Sequence, residues 1–362
     1  LWNYGDTNQV LQVYGKPAQV QDRKLQLEGP DIRFDRVENR AIVNGAGVLR
    51  VPVPRGMDGK PLPEPQLLDV FWKEKMDFDG LVAKFFANVR SQLNGSELKC
   101  EEMYVTFNRR VNFADDGGGN QPQTDIHSVT CRDGVDLKSY EYQDNRLVSV
   151  RKARGFEFSV NQSTGDITSQ GPGTLELWRR AGKRDGAKPG AQVAGNRARQ
   201  VNASDWEYTR IIFHGKMSGN IKDRRTKFRD VERVVYGSIA NSTETIDEER
   251  LPPDGGWMQC RELELKQVPA SKDVKEHVTL KAVGNVVLDG RSFHALAHQV
   301  TFDESKDQYI LSGDGKRDAT IWRETVLGGG LNPQSSSSQR MRFRPSKNEL
   351  QSDWVSGGEG QR

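Results

Sequence analysis

The side chains of this 362-residue chain that could do bond chemistry are few and scattered. Five histidines are present: His127, His214, His277, His294 and His298. His294 and His298 stand four apart, so on a strand both face the same way and could begin a metal site. No third His, Cys or carboxylate follows at a ligand spacing, and the pair reads as surface polar residues. Cys100 and Cys260 lack a C-x-x-C partner and read as small apolar strand residues. With Cys131 they total three, too few for a disulfide framework; at most one pair could close, which suits either redox compartment. Asp303-Glu304 offers two carboxylates, but neighbours on a strand point to opposite faces, unlike a glycosidase pair, and they read as turn residues. Gly117-Gly118-Gly119 does not lie between a strand and a helix, so it reads as a loop and not a phosphate cradle. No catalytic residue, metal site or cofactor is therefore expected, and the chain is read as non-enzymatic.

Two other residue groups bear on binding. Arg179, Arg180, Lys183, Arg184, Lys188, Arg197 and Arg199 stand against Asp185. The stretch reads as a solvated loop or a contact for anionic phosphate groups. Phe34, Phe78, Phe107, Phe158, Phe213 and Phe302 either fill a core or line an apolar, lipid-accepting groove. Lys and Arg total 53 against 50 acidic residues, and that near-balance argues against nucleic acid as a partner. No apolar run is long enough to cross a bilayer as a helix, so the chain reads as soluble. It opens at Leu1 without a charged-then-apolar leader and reads as a processed or trimmed product.

The elements that must position these residues are strands. Helical periodicity is almost absent, while short alternation bounded by turn residues recurs, as in Met103-Tyr104-Val105-Thr106-Phe107 and Leu263-Glu264-Leu265. A hydrophobic content of 35% is low for a compact globule and suits thin sheets with one wet face. The predicted fold class is all-β: short antiparallel strands repeated into an extended, twisted jelly-roll or solenoid-like array.

Internal repeats support this. One segment type runs strand, polar turn, strand, Gly-x-Gly, strand, at Ile32 to Val51, Phe156 to Trp178 and Val300 to Trp322. Its aromatic anchors are Phe34, Phe158 and Phe302, and its glycine pairs are Gly45/Gly47, Gly171/Gly173 and Gly313/Gly315. Anchor to glycine is 11 steps in the first and third copies and 13 in the second, read as a two-residue insertion in the turn. A second type places Trp72, Phe78 and Gly80 before LKCEEMYV, and Trp206, Phe213 and Gly215 before MQCRELEL, making Cys100 and Cys260 equivalent. The count is two full double units and a closing half. The expected division is 1–115, 124–269 and 270–345, with 346–362 a disordered tail. Pro52 to Pro65, Asp115 to Gln123, Arg179 to Gln200 and Gly328 to Gln339 read as linkers.

The segment Lys281 to Gly315 carries a glycine-led strand, a turn at Asp289-Gly290, then Val300-Thr301-Phe302-Asp303 and Gly313-Asp314-Gly315. Val13 to Gly47 repeats it through Gly15, Ile32-Arg33-Phe34-Asp35 and Gly45. This pattern resembles the OstA-like (LptA-like) repeats of the lipopolysaccharide-transport family, over roughly a fifth of the chain. The resemblance implies a partly open β-jelly roll sheltering the acyl chains of lipopolysaccharide or another glycolipid. It also implies stacking on other OstA-like proteins through edge strands, in the periplasm or cell envelope. The rival readings are a structural or adhesive β-repeat scaffold binding only protein, and a carbohydrate-active β-fold enzyme.

Overall fold

The computed structural model describes residues 9–22, 25–55, 61–111, 125–180, 206–271, 276–290, 293–327 and 330–352. The fold is all-β. Among the described residues the helical turns are two short 3-10 segments, Glu304–Lys306 and Pro345–Lys347.

The strands fall into three sets. The first is β1 (Val10–Asp22), β2 (Leu25–Asp35), β3 (Arg40–Asn44), β4 (Gly47–Arg55), β5 (Pro61–Trp72), β6 (Lys75–Phe78), β7 (Val82–Leu93) and β8 (Ser96–Phe107). The second is β9 (Ile126–Gln143), β10 (Arg146–Asn161), β11 (Asp166–Gln170), β12 (Gly173–Arg180), β13 (Trp206–Phe213), β14 (Lys216–Asn220), β15 (Arg225–Ile239) and β16 (Gly256–Val268). The third is β17 (His277–Gly290), β18 (Phe293–Asp303), β19 (Gln308–Ser312), β20 (Ala319–Leu327), β21 (Gly330–Ser338), β22 (Arg340–Arg344) and β23 (Glu349–Ser352).

Pairing repeats with the same period. In each set the second strand is long and pairs with both of the next two: β2 with β3 and β4, β10 with β11 and β12, β18 with β19 and β20. The third and sixth strands then pair antiparallel, as β3 with β6, β11 with β14 and β19 with β22. Val43↔Met76, Ser169↔Met217 and Leu311↔Met341 thus become one repeated contact, with all three methionines buried.

In the first set the pairings close a ring. β2 carries β3 at one end and β4 at the other; β7 carries β6 and β5 in the same way; β3 pairs with β6 and β4 with β5. A long strand serving two neighbours in this way must bend, and bulges provide the bend. Register breaks between Tyr14 and Ala18 in β1, Phe86 and Val89 in β7, and Val283 and Val286 in β17. Gly284 takes φ +85° at its break, a conformation that glycine reaches without cost. Its counterpart Gly15 instead needs space, because a β-carbon there would lie 2.5 Å from the Ala18 nitrogen.

Several sequence expectations are corrected. The linkers Pro52 to Pro65 and Gly328 to Gln339 are largely strand, within β4, β5 and β21. Ladder pairing of Trp322 with Ser335 and Ile321 with Ser336 shows why serine did not signal a loop: the backbone supplies the bonds. Residues 349–352 of the expected tail form β23 on β22, so the closing part is a nearly complete third set. The middle Phe anchor is displaced. Val160↔Ile167 matches Phe34↔Ala41 and Phe302↔Tyr309, while Phe158↔Ser169 matches Ile32↔Val43. The 13-step spacing is thus a two-residue shift along β10, not a turn insertion; strand side chains repeat every two residues, so the shifted Phe keeps its face. Phe78 and Phe213 are not equivalent either, since Phe213 ends β13 as Trp72 ends β5. Asp115 to Gln123, the Gly117 loop and all of the basic stretch beyond Arg180 lie outside the described residues.

The described chain forms two compact units: Leu1–Ser139 with Ala153–Gly173 and Lys216–Thr226, and Tyr140–Lys152 with Thr174–Gly215 and Lys227–Arg362. Residues of the middle strand set are shared out between the two.

Candidate apolar ligand face

In the first unit, register lines up the inward side chains in rows. One row runs Ile32, Val43, Met76, Phe85, Met103, Cys131 across β2, β3, β6, β7, β8 and β9. Every member is 4% exposed or less, so this row is sealed. Two residues further along each strand the next row runs Phe34, Ala41, Phe78, Ala83, Val105, Val129. Opposed residues on neighbouring strands share a face, about 4.5–5.5 Å apart.

This second row alternates large and small. Half-buried Phe34 and Phe78 flank buried Ala41, and Ala83 follows Phe78. Phe107, at the end of β8, meets Phe78 edge to face with ring centroids 5.6 Å apart. Phe158 is half-buried against the same core. Three of the six phenylalanines singled out from the sequence, Phe34, Phe78 and Phe107, therefore gather on one core margin, while Phe158 holds the register place of Ile32. Half-buried Val13, Val20, Leu49, Leu68, Ile126, Val129 and Leu137 also pack against the core of this unit. Sequence reading missed these aliphatics; their alternation within strands was the available signal.

The other two candidates lie in the second unit and are packed differently. Phe213 is 2% exposed and tilts against Phe228 at 5.4 Å, so it has no face to offer and is withdrawn as a groove residue. Phe302 is half-buried and stacks on Tyr309 at 4.5 Å. Its row continues through Tyr309 and Phe343, so aromatic rings occupy the places that Ala41 and Phe78 hold in the first set. Phe293 packs on both rings, at 5.9 and 4.9 Å. That row is filled by its own side chains.

Polar residues take the opposite face of the same strands. Arg40 donates two hydrogen bonds to Asp77, at 2.9 and 2.5 Å, and Lys75 lies 3.2 Å from the same carboxylate. The Arg40 hydrogen bonds hold the Asp77 carboxyl below its ordinary value.

The reactive side chains are spent elsewhere. His294 Nδ1 lies 3.1 Å from Asp289 and its ring 5.4 Å from Trp322. The Asp303 carboxylate accepts from the Ser305 nitrogen and caps the 3-10 turn, whereas Glu304 accepts from the Val278 nitrogen at 2.7 Å and from Arg179 at 3.0 Å. Arg179 also bonds Glu207 at 2.7 Å, so the first cation of the basic stretch is held by carboxylates. Burial pushes the Cys260 thiol up to about 12. Among the described residues no three His, Cys, Asp or Glu are grouped to hold a metal ion. Nor is any helix among them long and apolar enough to cross a membrane. No protein-family model matches this chain, and no curated protein does either.

Proposed function

We propose that the chain is a non-enzymatic, OstA-like protein of the cell envelope or periplasm that holds the acyl chains of a lipid or glycolipid on the Phe34–Phe78–Phe107 margin of its first unit. The observation that carries this is the alternating row: half-buried rings at Phe34 and Phe78 with alanines at 41 and 83 between and beside them. A core closed on itself gains by filling such places, as the third strand set does with Tyr309 at the place of Ala41. Each methylene taken out of water contributes about 0.8 kcal/mol, so an acyl chain can be held without a charged contact. The repeated pairing over successive strand sets supports the OstA-like resemblance, and exposed edges would serve for stacking on similar proteins.

The test converts the first row into the third. Ala41 occupies the register position of Tyr309, so Ala41→Tyr puts a ring between Phe34 and Phe78. An acyl-chain fluorophore should bind the parent protein and bind Ala41→Tyr at least tenfold more weakly, with matching circular dichroism spectra. A parent that binds no acyl chain favours the alternative, a structural or adhesive scaffold whose partners are proteins.

A further inference from the structure

We infer that Cys100 and Cys131 form a disulfide joining β8 to β9 when the chain folds in an oxidising environment, and that Cys260 stays a free thiol. Both side chains are inward, 4% and 0% exposed, in the core of the first unit. The two thiols are close enough to act on each other, the Cys100 side chain holding the Cys131 thiol well above its ordinary value. Register explains the meeting. Cys131 lies opposite Met103, and the β8–β9 ladder breaks between Lys99↔Asp136 and Glu102↔Arg132. Across that break β8 turns both Cys100 and Met103 inward, three residues apart, which regular alternation forbids. The break therefore draws Cys100 toward Cys131.

The protein contains its own control. The β16–β17 hairpin has the same register break, between Gln259↔Val287 and Glu262↔Val283, and there Leu263 lies opposite Ala282. Cys260 thus holds the place of Cys100, and fully buried Ala282 the place of Cys131. The second hairpin has one cysteine of the pair, the first has both.

Closure removes the two S–H hydrogens and forms one S–S bond while the S–S bond of a disulfide oxidant breaks, its two sulfurs taking up the two electrons and the two protons to become two thiols. The neighbouring Cys100 side chain and burial keep Cys131 protonated once folded, so the exchange belongs to the folding chain, while the thiols are still accessible.

The experiment refolds the denatured chain in a glutathione redox buffer, alkylates remaining thiols, and maps peptides by mass spectrometry without reduction. One linked peptide pair, Cys100 with Cys131, and alkylated Cys260 is the expected result. Alkylation of all three cysteines in refolded protein would overturn the inference, as would any linkage to Cys260. Ala282→Cys should add a second linkage, between Cys260 and the introduced thiol, when refolded in the same buffer. Should that variant not refold, Cys131→Ala, which copies the second hairpin, should refold with no linkage at all; a linkage persisting in it would refute the pairing.

Discussion

Removing the Phe78 ring tests whether the half-buried row is a wall for a ligand or only the rim of a core. Full burial of a phenylalanine contributes about 1.5–3 kcal/mol, so half-burial accounts for about 1 kcal/mol. The edge-to-face contact with Phe107 adds about 0.5–1.5 kcal/mol. Phe78→Ala should therefore destabilise the first unit by about 1.5–2.5 kcal/mol. Phe85→Ala, in the sealed row at 1% exposure, should cost about 3–5 kcal/mol through the cavity it leaves. Binding should rank the other way. An acyl chain losing contact with one ring forfeits about two methylenes' worth of burial, about 1.6 kcal/mol or roughly tenfold in affinity. Phe85→Ala removes nothing a ligand touches and should change affinity less than about twofold. Stability is followed by denaturant unfolding with tryptophan fluorescence, to which Trp72 contributes from 5.3 Å beside Phe85. Affinity is followed by acyl-fluorophore titration. If Phe78→Ala loses the expected stability and binds unchanged, the rings are core margin and the ligand reading fails.

Other perturbations read the architecture. Met76→Ala, Met217→Ala and Met341→Ala strike the same repeated contact, and each should cost about 2–5 kcal/mol in denaturant unfolding. A cost below about 1 kcal/mol at any one would break the equivalence. Gly47→Val should lower the thermal midpoint markedly, because a β-carbon there would lie 2.4 Å from the Trp72 ring and 2.6 Å from the Glu28 carbonyl; a neutral effect would show that β4 can shift. The Asp77 carboxyl is held below its ordinary 3.8 by Arg40, so it stabilises the fold above that pH and loses this effect as the pH falls through its folded value. The stability difference between the parent and Asp77→Asn should therefore shrink below about pH 3.8, and a difference growing there would contradict the pairing.

Alternation in segments such as Met103 to Phe107 and the recurring Phe-to-Gly-x-Gly spacing determined, without coordinates, that the chain is all-β and repeats. They also determined that Cys100 and Cys260 share a place, since both are local patterns carried along one strand. Those patterns misplaced Phe158, because a period of two is blind to a shift of two. They also missed β21 and β23, whose serines and polar residues pair through the backbone and leave no apolar signature. Which side chains meet was decided only in three dimensions. Ala41 becomes the neighbour of Phe78, and Cys131 of Met103, through register between strands, while the bulge in β8 turns Cys100 to the same side. For the same reason Phe34 and Phe302, alike in sequence and at the same place in their strands, stand in different surroundings. One faces an alanine across the ladder and the other a tyrosine, and that choice lies on the partner strand.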